Sequence, residues 1–206
     1  MPLISIRLLG GVSITANDQP FRIAYEKGRA LLAFLAVESN RRHSRHALAS
    51  MFWPELEREA ALGNLRLVLH DLRKGCTQSL GESSPQLFEA DRESVRFIPS
   101  SGFEVDSQAF TDALPPCQDP HCDKTCVRCL EAVEAVVKLY RGEFMAQFEL
   151  PGCSDFAEWK GLQQEALRLR MRLMLTRLAI CQEENGREDK ALLYSRKLLN
   201  LDPLNE

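Results

Sequence analysis

The chain of 206 residues holds 26 Lys and Arg against 29 Asp and Glu, a net charge of −3, with 45% apolar and 27% charged side chains. That balance excludes a largely disordered chain and one that is basic throughout, and no apolar run approaches the ~18 residues a membrane span needs. The charge is uneven: residues 1–100 carry 13 Lys and Arg against 11 Asp and Glu, and residues 101–206 carry 13 against 18, so a nucleic-acid site is expected as a local patch in the first half.

Residues 3–14 (LISIRLLGGVSI) read as two short strands with a turn at Gly10-Gly11. The segment has neither a basic leader nor a small-residue cleavage site, so no secretion signal is expected and the protein is placed in the cytoplasm. Asn17 to Pro20 is turn chemistry, and Phe21-Arg22-Ile23 can form a third strand. From Lys27, the residues Leu31, Leu32, Phe34, Leu35 and Val37 predict a buried helix ending near Ser39-Asn40. Ser44 is a good N-cap for a second helix carrying Leu48, Met51 and Phe52, which Trp53-Pro54 ends. A third helix, Glu57 to Lys74, carries the stripe Ala61, Leu62, Leu65, Val68, Leu69 and Leu72 and is closed by Gly75. After a Ser/Gly/Pro-rich loop over 77–85, Gln86–Ala90 and Ser94–Ile98 flank Asp91-Arg92-Glu93 as a β-hairpin. Three helices followed by a hairpin make a winged helix, whose third helix and hairpin meet DNA.

Pro99 to Gly102 reads as a linker, and helical periodicity dominates beyond it, near 105–114, 127–141, 155–184 and 188–200. Leu175, Leu178, Ala179, Gly186, Ala191 and Pro203 stand at the offsets of a tetratricopeptide-type helix pair. Such repeats seldom stand alone, so the chain is expected to be the N-terminal piece of a longer protein. The expected fold is mainly α with a small β component. A winged helix-turn-helix domain spans 1–100, and an α-helical, tetratricopeptide-like repeat domain spans 101–206, with a Cys/His-rich insert at 115–129.

Three stretches carry a family resemblance: LLAFLAVESNRRHSRHALASMFWP from Leu31 to Pro54, NLRLVLHDLR from Asn64 to Arg73, and LYRGEFMAQF from Leu139 to Phe148 with FAEW at Phe156–Trp159. With the closing LLNLDPLNE, they make the chain similar, from about Leu3 to Glu206, to SARP-type regulators. These join a response-regulator-like winged helix to a bacterial transcriptional activator domain of helical repeats. The resemblance implies a DNA-binding transcriptional activator and a loop, Trp53–Arg58, that faces RNA polymerase. Binding as a homodimer on double-stranded DNA is a further expectation.

On the third helix, the face opposite the apolar stripe holds Ala60, Gly63, Leu67, His70, Asp71 and Lys74, with Asn64 and Arg66 on its flanks. Gly63 costs roughly 1 kcal/mol against Ala in a helix interior, which close approach to a DNA groove would justify. Leu67 suits a thymine methyl and Asn64 an adenine edge. The alternative is a solvated face with one stray leucine. Where the family carries Arg and Gln, this helix has Leu62, Leu67 and Asp71, and that departure favours a rival function: a protein-interaction module with a degenerate winged helix, controlling a downstream effector or ATPase domain. Arg41, Arg42, Ser44 and Arg45, with His46, form either a phosphate clamp at a helix N-terminus or an ordinary basic loop. Arg92 and Arg96 on the hairpin reach a minor groove or are solvated.

Cys117, Cys122, Cys126 and Cys129, with His121 as an alternative ligand, crowd four thiols into 13 residues. This spacing suits a structural zinc; a redox pair and free thiols are the other readings. Arg168, Arg170 and Arg172 scatter around one helix and read as solvated, with Glu165 as a partner for Arg168. Phe156, Trp159, Leu162, Ala166, Leu169 and Leu173 read as repeat-packing core, and Cys76, Cys153 and Cys181 as inert. No phosphate loop, dinucleotide turn, zinc-protease helix or nucleophile elbow is present, so nothing argues for an enzyme.

Overall fold

Ile4, Ile6 and Leu8 alternate with Ser5 and Arg7 and are almost wholly buried, so the first strand lays one face on a core. A computed structural model describes residues 4–39, 41–81, 84–100, 102–113 and 127–201. Strand β1 (Ile4–Arg7) pairs antiparallel with β2 (Ser13–Ala16) across the Gly10-Gly11 turn. Asn17 and Asp18, at φ 47° and 60°, make the two-residue turn into β3 (Gln19–Pro20); positive φ at both positions matches strand twist. The third strand thus lies just ahead of Phe21–Ile23, where it was expected. Pairing stops because Phe21, after bonding Ile14 O at 2.9 Å, turns inward onto the third helix.

Helix α1 (Glu26–Val37) buries an unbroken run from Ala30 to Ala36. A short strand β4 (His43–Ser44) leads into α2 (Arg45–Phe52), which ends before Trp53-Pro54 as expected. Helix α3 runs Arg58–Leu80 and is closed at Gly81, six residues beyond the expected stop. Gly75 lies inside it, because a Cβ there would sit 3.3 Å from Phe21 Cζ. The glycine serves a close contact, not a cap, and Cys76 and Leu80 carry the buried stripe onward.

Strands β5 (Phe88–Ala90) and β6 (Ser94–Phe97) form the expected hairpin. Asp91 Oδ1 closes its turn, accepting the N–H groups of Glu93 at 2.8 Å and Ser94 at 2.7 Å. β4 joins β6, giving a sheet ordered β4-β6-β5. The chain then enters β7 (Phe103–Val105), which lies parallel to β1 and completes a sheet ordered β3-β2-β1-β7.

Beyond β7 come α4 (Asp106–Asp112), α5 (Val127–Val137), α6 (Ser154–Glu184) and α7 (Glu188–Leu201). The fold is mainly α with a small β component, a winged helix followed by a helical region. α6 and α7 pack as a helical hairpin through buried Leu175, Leu178 and Tyr194; Pro203 lies outside the described residues. No described helix is long and apolar enough to cross a membrane.

Four core assignments on α6 need correction. Phe156 and Trp159 are buried, but Ala166 is exposed, and Leu162, Leu169 and Leu173 are 66%, 46% and 63% exposed. Leu167, Met171, Leu175 and Leu178 fill the core instead. Arg170 is half-buried rather than solvated and donates to Ala113 O at 2.8 Å. Arg168 makes its expected pair with Glu165 at 2.7 Å.

One hydrophobic core runs through the described residues from Ile4 to Tyr194. Phe34 meets Trp159 edge-on at 4.9 Å between centroids, and Phe52 meets Phe156 at 5.5 Å. Trp159 Nε1 donates to Glu38 Oε1 at 2.9 Å. Backbone bonds add Met145 N to Leu8 O and Gly10 N to Glu143 O. That approach needs glycines, since a Cβ on Gly142 would lie 3.0 Å from Gly10 Cα. Buried Asp106 accepts the N–H groups of Leu8 at 2.7 Å and Leu9 at 3.2 Å and pairs with Arg141 at 2.6 Å.

Candidate nucleic-acid interface

Helix α3 lies with Leu65, Leu69 and Leu72 in the core and packs on α1, α2 and β2. Its other side faces solvent: Ala60, Arg66, Leu67, His70, Asp71 and Lys74 are exposed, and Gly63 and Asn64 half-exposed. A Cβ on Gly63 would meet nothing within 4 Å, so no contact among the described residues accounts for that glycine.

Helical geometry divides this open side into two edges. Arg66, His70 and Arg73 follow one another at i, i+4 and i+7 along one. Asn64, Leu67 and Asp71 run along the other. The first edge turns toward the start of α2 and the hairpin, for Arg73 Nη2 donates to Phe88 O at 3.4 Å. Burial, and then the like charges of Arg66 and Arg73, hold the Arg45 guanidinium below its ordinary value, with Asp91 opposing. Three cations from two helices therefore share one field. Arg73 was not among the sequence candidates, although its seven-residue spacing from Arg66 places both on one edge.

The second edge walls a groove of about 580 Å³. Tyr25, Trp53, Asn64, Leu67, Leu150 and Pro151 line it, and Lys27 Nζ stands 5.7 Å from the Trp53 ring centroid. Lys74 and Asp71 border a smaller cleft with Phe21 and Arg22.

The upstream basic cluster is less free than its sequence suggests. Arg41 pairs with Glu38 at 2.9 Å. Arg42 bridges Glu89 at 2.5 Å and Asp91 at 3.2 Å, pinning the start of β4 to the hairpin. Arg45 Nε donates to Asp91 O at 2.8 Å. Ser44 holds the N-cap position of α2 in extended backbone, but its side chain makes no capping bond. Arg92 is exposed in the hairpin turn. Arg96 lies opposite Glu89 in the ladder, half-buried, with an unpartnered Nε.

Cys117, His121, Cys122 and Cys126 lie outside the described residues, and Cys129 stands in the first turn of α5. Among the described residues no group of three or more His, Cys, Asp or Glu is placed to hold a metal. Cys76, Cys153 and Cys181 are buried. Burial pushes the thiols of Cys76 and Cys153 up from their ordinary value, which suits inert core residues.

No protein-family model matches the chain, and no curated protein does. Among solved structures it is similar to EmbR of Mycobacterium tuberculosis, determined in complex with a low-affinity phosphopeptide, with a TM-score of 0.57 and 19% identity. The match covers 97% of this chain and 60% of that one. The likeness is one of fold alone.

Proposed function

We propose that the chain is a DNA-binding transcriptional regulator that seats α3 in the major groove. The observation that carries this reading is the open side of α3, with Arg45, Arg66 and Arg73 gathered along one edge. Those three and Lys74 would neutralise phosphates. Arg92 would enter the adjacent minor groove, Asn64 would read an adenine edge and Leu67 would meet a thymine methyl. Gly63 would let a phosphate or base edge approach the helix backbone. The reading extends to activation, a Trp53–Arg58 loop facing RNA polymerase in the cytoplasm, and two copies on one operator. No catalytic role is assigned.

Titration of a labelled duplex over salt tests it. With about four phosphate contacts, affinity should fall about 150-fold between roughly 50 and 200 mM salt. No binding at low salt would overturn the reading.

The rival is an interaction module with a degenerate winged helix. Asp71, which would face phosphates unfavourably, and the Tyr25–Leu67 groove favour it. The Arg45, Arg66 and Arg73 cluster has no evident use in that role.

A structural zinc on Cys117, Cys122, Cys126 and Cys129, or with His121 replacing one thiolate, is proposed on their spacing alone. Metal analysis of the purified protein should give close to one equivalent; no metal with four freely titrating thiols would dismiss it.

A further inference from the structure

Several acids around α3 have a use inside the fold. Glu38, Glu55, Glu89 and Asp91 are each paired with a lysine or arginine. Glu57 holds the N-cap position of α3 and Glu59 its first turn, where the helix dipole favours negative charge. Asp71 has neither support. It is exposed mid-helix on the open side, and no side chain among the described residues bonds to it. The dipole fades beyond the first turn, and aspartate is among the poorer helix formers. Nothing in the fold accounts for this carboxylate.

A major groove offers it one kind of partner. The phosphates at the rim repel it, but base edges on the floor carry amino groups. A carboxylate accepts and cannot donate. Guanine and thymine present acceptors to it, and adenine sets an acceptor, N7, beside its amino group. Cytosine presents the N4 amino group alone. An aspartate carboxyl is short, so it needs the helix close to the bases, and Gly63 on the same open side permits that approach. Asn64, Leu67 and Asp71 span roughly 10 Å of the helix axis, about three base-pair steps.

We infer that Asp71 is a specificity-determining residue that accepts a hydrogen bond from the N4 amino group of one cytosine, beside the adenine of Asn64 and the thymine of Leu67. The inference rests on the seating of α3 in the major groove. The carboxylate selects by repulsion as much as by attraction, since every other base turns an acceptor toward it.

Selection from a library of duplexes with a randomised centre, using the full chain, tests it. The parent should recover a cytosine within about three base pairs of an adenine. It should bind that duplex about tenfold more tightly than its cytosine-to-adenine variant. Asp71→Asn should reverse the ratio, because an amide pairs with adenine N6 and N7 together. Asp71→Ala should abolish the preference at that one position and leave the others intact. Both changes remove a negative charge and strengthen binding to every duplex alike, so the ratio between duplexes is the readout. Circular dichroism should be unchanged, as the side chain is exposed. Variants that recover the parent's sequences, with affinity raised uniformly, overturn the inference while α3 stays in the groove. If the parent retains no duplex at all, the seating of α3 itself falls, and the role of Asp71 with it.

Discussion

Replacing Arg45, Arg66 and Arg73 together with alanine is expected to lower affinity for duplex DNA about 100-fold at moderate salt and to reduce the slope of log affinity against log salt by about three. Each side chain lies near the others at the same edge of α3, so each removed charge removes one released counterion. The folded state should tolerate the change, since Arg66 and Arg73 are exposed and Arg45 gives one bond to a carbonyl. The matched control is Arg41→Ala with Arg42→Ala. Those guanidiniums already face Glu38, Glu89 and Asp91, and removing them should change the slope by less than about one. Anisotropy titrations on both variants separate the outcomes. A well-folded triple variant that binds as the parent does would remove α3 and the start of α2 from the interface.

Asp106→Ala should cost about 3–5 kcal/mol in urea unfolding, because it strips a buried carboxylate from two N–H groups and a guanidinium. The donors are Leu8 N, Leu9 N and Arg141. Asp106→Asn keeps the shape and one acceptor and should cost roughly half as much. Burial raises the Asp106 carboxyl above its ordinary value, outweighing the lowering by Leu8, Leu9 and Arg141. A carboxyl raised on folding contributes most below its unfolded pKa, and that contribution declines as pH rises through the folded one. Acid should therefore not weaken the protein through this group, and the Asn variant should lose that one pH-dependent contribution. An alanine variant as stable as the parent would show that the carboxylate is not what holds β1 to α4.

Local signals made the winged helix legible. The periodicity of α1, the proline after α2, the α3 stripe and the Asp91 turn each act within a few residues. What escaped the sequence depends on partners far along the chain. Gly75 reads as a helix stop until Phe21 is seen to rest on it. β7 is only three residues long, and its reason for existing is β1, almost a hundred residues upstream. On α6, two apolar stripes follow helical spacing, and spacing cannot say which one the rest of the fold covers. At the candidate interface, the open side of α3 follows from its pattern. The pairing of Arg42 with Glu89 and Asp91 does not, since hairpin pairing brings those acids near, whereas Arg41 and Glu38 stand only three residues apart. Arg73 is readable from its seven-residue spacing to Arg66.

The parallel seating of β7 beside β1 also removes a freedom that a tether at residues 99–102 would have given. The direction of the helical region relative to the winged helix is set by the sheet and core the two share. A duplex lying on α3 would thus see that region at one fixed bearing, and two such molecules sharing an operator could adjust their spacing by bending the DNA but not by flexing themselves.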